Sequence, residues 1–277
     1  MNSWPWEAWG PWAHWHPEIA LGLEGLVALY LAGVGPLRRR YGWGPRPPGG
    51  QIAAFLGGVL VVAGALLGPV AELAEHVALS AHMLQHLLLV LVVPPLWLLG
   101  TPGWLLRPVL RVPGIARAGW WLTRPLTAFV LGSTPLVGWH VPLLYGAALD
   151  RAAIHALEHV TLLGGALLLW WPIAGRLPEW PRPASLVQLL YLFLCTVPMT
   201  LAAAPITLAD GVLYPFYLSP RAAWPLSPTA DQEAAGILMW LGGTVGYLIA
   251  GTIVFFRWAS REGGEEAAPS VPLAEDA

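Results

Sequence analysis

Lysine is absent from this chain of 277 residues: all 14 basic side chains are arginine. Charge of either sign is scarce, at 11% of residues, where soluble domains carry about 25%. With a net charge of −2 and no basic tract, nothing suggests a nucleic-acid partner. Cysteine occurs once, as Cys195, which excludes a disulfide within the chain. No basic residue precedes Arg38. A secretory signal peptide needs a basic n-region, so the first apolar run is read as a retained span. What remains is apolar: 56% of residues are hydrophobic and mean hydropathy is +0.60. That composition belongs to an integral membrane protein whose surroundings are the lipid bilayer. The 17 tryptophans suit belts at its two interfaces.

A bilayer-crossing helix needs about 20 apolar residues. Seven runs qualify, at 18–36, 51–69, 79–99, 125–146, 152–171, 185–208 and 233–256, so the expected fold is an all-α seven-helix membrane bundle. Arginines fall on alternate joins. Arg38, Arg39, Arg40 and Arg46 follow the first span, and Arg107, Arg111, Arg117 and Arg124 the third. Arg176 and Arg182 follow the fifth, and Arg257 and Arg261 the seventh, leaving only Arg151 and Arg221 in the opposite set. The positive-inside rule then puts the N-terminus outside and the C-terminus in the cytoplasm. Residues 1–17, with Trp4, Trp6, Trp9, Trp12 and Trp15, read as a segment on the outer interface. His14 and His16 there either capture metal loosely or edge an aromatic anchor. Residues 18–257 form the membrane domain, and 258–277 read as a disordered cytoplasmic tail.

With that orientation all eight histidines fall on the outer side. His82 and His86 share a helical face of span 3, and His155 and His159 share a face of span 5 at the same two depths. Span 4 brings His140 to a similar level. Ionisable groups within spans usually face the bundle interior and carry function, and imidazole suits zinc, copper, iron and nickel. The five histidines are therefore read as metal ligands. Glu158 and Asp231 are expected beside them as outer partners or substitute ligands, since a carboxylate inside a span pairs, binds metal or stays protonated. Glu72, Glu75 and His76 share a face if span 2 continues past Pro69, and join the same outer set. Cys195 and Met199 lie four apart on span 6 and offer soft ligands for Cu(I), a deeper copper station if they are not simply packing.

Two other chemistries use the same residues. One histidine of each pair could hold a single haem, although pairs one turn apart are too close for two. HALEH, residues 155–159, matches H-x-x-E-H, in which His155 and His159 would bind zinc and Glu158 would act as base, with Glu233 as a distant ligand.

Four blocks carry a resemblance. They are HMLQHLLL with the following PP and LGTP (82–102), WHVPLLYGAAL (139–149), HALEHVTLLGGALLLWWPI (155–173) and DQEAAGILMW (231–240). In this order they resemble the multi-spanning CtaG-type cytochrome c oxidase assembly factors, from about residue 50 to 257. The resemblance implies a multi-pass bacterial plasma-membrane protein that helps mature haem–copper oxidases by handling copper. The residues matching its blocks are His82, His86, His140, His155, Glu158, His159 and Asp231; residues 1–48, Cys195 and Met199 lie outside them. The expected function is copper binding near the outer face, as Cu(I), with receipt from an extracytoplasmic carrier and delivery to an oxidase subunit in the membrane. No catalytic turnover is required.

Overall fold

The computed structural model describes residues 16–218 and 224–266. The Trp-rich opening, His14, Arg221 and residues 267–277 lie outside the described residues. Among those described there is no strand; the chain is a bundle of helices. Six are long and apolar enough to cross a membrane: α1 (Pro17–Tyr41), α2 (Gly49–Leu66), α4 (Leu79–Gly100), α9 (Ala152–Ala174), α10 (Ser185–Leu208) and α11 (Pro228–Glu266). Shorter helices fill the joins: α3 (Pro69–His76), α5 (Gly103–Leu110) and α6 (Ile115–Leu122). The fourth expected span is two helices, α7 (Pro125–Trp139) and α8 (Pro142–Asp150), bent by 72°. Counted as one, they make a seventh span.

Proline chemistry sets these breaks. Pro142 disfavours the helical conformation for Val141, which lies at φ −68°, ψ 128°, so α7 ends at Trp139 with His140 as its cap. Span 2 likewise does not run on: it stops at Leu66, and Pro69 opens a separate helix. Glu72, Glu75 and His76 therefore sit on α3 and not on a continuation of α2. At the other end of the chain, α11 continues past Arg257 to Glu266, so the first residues expected in the tail are helical.

Prolines inside spans free carbonyls, and side chains from neighbouring helices occupy them. Pro94 has no N–H to offer Val90; the Trp170 indole donates to that carbonyl at 2.8 Å. At the end of α2 the Ala65 carbonyl is also free, and Gln85 Nε2 donates to it at 2.9 Å. The π turn over Leu88–Val92 accommodates the Pro94–Pro95 pair within α4.

The main core runs between α4, α9, α10 and α11. Cys195 and Met199 belong to it: both are buried, and Met199 packs against Gly243 of α11. Close approach of α7 and α9 depends on Gly132 and Gly165. A Cβ on Gly132 would stand 2.7 Å from the Gly165 carbonyl oxygen, and one on Gly165 would stand 2.7 Å from Pro135 Cγ. These contacts hold α7, and His140 at its end, beside the helix that carries Glu158 and His159.

Candidate metal centre

The first turns of α4 have no capping side chain of their own. Asp231 of α11 supplies the cap from across the bundle. Its carboxylate accepts from Leu79 N at 2.7 Å, Ser80 N at 3.3 Å, the Ser80 hydroxyl, and Trp224 Nε1 at 3.0 Å. This fixes the helix end that presents His82 and His86. The carboxylate expected beside the metal is instead occupied as a helix cap.

His82 and His86 are buried, and their Nε2 atoms face each other at 2.9 Å. Glu158 of α9 reaches the same point, with Oε2 4.0 Å from His82 Nε2 and Oε1 3.6 Å from His86 Nε2. One ligand atom from each of His82, His86, Glu158 and His159 lies within 4.8 Å of the others. Spans 3 and 5 thus meet through the residues singled out in the sequence. Two expected members fall outside this group of four. His155 lies one turn towards the end of α9; its ring is 5.4 Å from that of His82 and 4.4 Å from that of His159, its Nδ1 is 3.9 Å from Glu75 Oε1, and its buried Nε2 has no hydrogen-bond partner. His140 touches the group through His86, Nδ1 to Nε2, at 3.4 Å. Glu158, expected as an outer partner or substitute ligand, stands within the group.

The hydrogen bonds assign the tautomers. His140 Nδ1 lies 2.6 Å from the Leu136 carbonyl, so that nitrogen donates and Nε2 accepts. His86 Nδ1 then donates to His140 Nε2, which leaves a lone pair on His86 Nε2. On the other side Tyr217 donates its hydroxyl proton to the Ala74 carbonyl at 2.7 Å. Burial pushes the Tyr217 pKa well above its ordinary value, which keeps that proton in place. The Tyr217 oxygen therefore accepts, from Tyr145 at 3.1 Å and from His82 Nδ1 at 3.2 Å. His82 Nε2 is left with a lone pair too.

Both facing nitrogens thus offer lone pairs, beside a wholly buried carboxylate. Neither Glu158 oxygen has a hydrogen-bond partner, and neither does His159 Nε2. Buried acceptors converging without donors destabilise a protein unless a cation joins them. The donor set of three imidazoles and one carboxylate fits a single metal ion of the borderline class. It does not match the zinc-peptidase pattern, which needs His155 and His159 on one ion with Glu158 standing back.

The centre opens towards one end of the bundle. A cavity of about 340 Å³ leads there, lined by His155, His159, Glu75, His76, His16 and Glu18 among others. Side-chain exposure rises along it, from 13% at His155 through 22% at Glu75 to 68% at Glu18, with Glu158 wholly buried behind it. Glu75 and His76, expected in the outer set, line this passage. Cys195 and Met199 take no part in the group of four. The members that sequence reasoning missed are Tyr217 and Tyr145. Tyr217 lies in a join with no periodicity to mark it.

A polytopic helical membrane protein with a buried histidine–glutamate centre is the class that fold and site define. The chain belongs to the cytochrome c oxidase caa3 assembly factor family (Caa3_CtaG), whose model matches residues 28–261. It is also similar to uncharacterized proteins of mycobacteria. Identity is 28% over 268 residues to those of Mycobacterium bovis and Mycobacterium tuberculosis, and 25% over 273 residues to that of Mycobacterium leprae. Each match covers 90% of this chain, which spans 40% of the relative's length. No solved structure matches the chain.

Proposed function

We propose that the chain binds copper at His82, His86, His159 and Glu158 and hands it to a haem–copper oxidase during assembly. The observation that carries this reading is the pair of unprotonated Nε2 atoms beside an unpartnered carboxylate, in a family of oxidase assembly factors. Copper is the cargo here. Three imidazoles suffice for Cu(I), the state expected from the sequence, and the Glu158 carboxylate adds a hard donor that tolerates Cu(II).

The positive-inside pattern supports an N-terminus outside and a C-terminus in the cytoplasm, in a bacterial plasma membrane. The centre then lies just inside the outer face, and the passage past Glu18, Glu75 and His155 faces the extracytoplasmic side. Copper arrives there from an extracytoplasmic carrier and leaves laterally to an oxidase subunit in the same membrane. His155 is the first imidazole met on the way in, and its ring lies 4.4 Å from that of His159, close enough for stepwise ligand exchange. His140 orients His86, and Tyr217 orients His82. Only metal–ligand bonds are exchanged in this sequence and no covalent bond of the protein is broken, so the role is that of a metallochaperone.

The test is metal analysis of full-length protein purified without oxygen, compared with the His82→Ala/His86→Ala variant and the milder His86→Gln. Copper should accompany the wild type and fall several-fold in both variants while helix content by circular dichroism is kept. Unchanged copper in folded variants, or haem iron or zinc in place of copper, would overturn the assignment.

A further inference from the structure

Fifteen residues beyond His159, about 22 Å along the helix axis, α9 ends at Ala174 beside a large cavity. It measures about 740 Å³ and lies between α4, α9, α10 and α11. Its mouth is lined by Arg176, Arg182, Arg257 and Arg261, and its floor by apolar residues such as Leu99, Ile173 and Val254. No carboxylate lines it. Among the described residues none of these four arginines has an acidic partner within 4 Å; the one arginine–glutamate pair recorded is Arg107 with Glu179. Among the described residues, Arg182 alone of the four has a hydrogen bond, donated to the Ile173 carbonyl at 3.2 Å. Partial burial and the like charges of Arg176, Arg261 and Arg257 depress the pKa of Arg182, which marks the four as close neighbours.

Four guanidinium groups without counter-charge repel each other, and the fold holds them together nonetheless. Guanidinium forks match the geometry of phosphate. We infer that this cleft binds a phosphate-bearing anion, the headgroup of an anionic phospholipid, with an acyl chain against its apolar floor. The location fits. The cleft lies where four membrane helices reach an interface, and basic pockets between spans are where acidic headgroups lodge. Gln51 and Gln188 line the same cleft; their amides donate to the Leu99 and Pro183 carbonyls and each keeps a second N–H. Free phosphate shares the headgroup chemistry but would leave the apolar floor uncovered.

Thermal unfolding of the full-length protein in neutral detergent separates these sources. Phosphatidylglycerol added to the micelles should raise the unfolding temperature by several degrees, phosphatidylcholine should not, and inorganic phosphate at millimolar concentration should not. Arg182→Gln/Arg257→Gln, at exposed positions that leave the packing intact, should abolish the phosphatidylglycerol shift. The same variant should lose most of the phospholipid carried through purification, measured by mass spectrometry. Equal shifts from both lipids, an undiminished shift in the variant, or stabilisation by phosphate alone would each overturn the inference.

Discussion

Tyr217 shows how one residue outside the spans sets the chemistry within them. Its hydroxyl donates to Ala74 and accepts from His82 Nδ1, so the second nitrogen of His82 is left as a lone pair. Partners that orient a ligating histidine in this way commonly account for about 10–100-fold in metal affinity. Tyr217→Phe should therefore weaken copper binding by about that factor, read by competition with a chromophoric chelator, while metal stoichiometry at saturation stays the same. Glu158→Gln keeps the shape of the side chain and removes its charge. It should weaken binding further than Tyr217→Phe, because in the proposed site this carboxylate is a ligand.

Among the elements, α4 depends most on groups outside itself. Asp231 caps its beginning, Gln85 ties it to α2, and Trp170 takes the carbonyl that Pro94 leaves free. A buried acceptor stripped of its donor costs about 1–3 kcal/mol. Trp170→Phe should lower the unfolding temperature accordingly, with copper binding retained because the indole lies far down α9 from His159. Asp231→Ala should do both: destabilise by about 0.5–2 kcal/mol as the loss of a cap and loosen copper, since it frees the turn leading to His82.

These dependencies mark the limit of what the sequence reveals. The i, i+4 spacing of His82 with His86 and of His155 with His159 made the meeting of two helices legible, and the apolar runs made the spans so. Spacing does not tell which turn of α9 reaches α4. His155 and His159 both bring their rings near His82, at 5.4 and 6.1 Å between centroids, and Glu158 turns inward between them. The cap from Asp231 joins residues about 150 positions apart, which no local pattern encodes. The break at His140 was written in Val141–Pro142, a proline rule that an apolar window overrides when it counts a span. The split at Pro69 has the same cause.

Over the whole molecule the charge is divided by kind. Imidazoles gather at one end of the helices, and most guanidinium groups at the other. In the proposed orientation, which rests on the positive-inside rule, the arginine end faces the cytoplasm. Fluorescent protein fused after Ala277 should fold and fluoresce, and alkaline phosphatase fused at the same place should be inactive; the reverse result would invert the bundle and put the metal passage on the cytoplasmic side. The chain spans 40% of the length of its mycobacterial relatives. The comparison concerns this membrane bundle, and the centre lies wholly within it.

The central claim is that four side chains from two helices surround one ion. X-ray absorption at the copper edge of the loaded wild-type protein tests it most directly. Three imidazoles and one oxygen donor should appear around copper, with one imidazole lost in His159→Ala and the oxygen altered in Glu158→Gln. A sulfur scatterer, as Cys195 or Met199 would give, or a first shell unchanged in both variants, would contradict it.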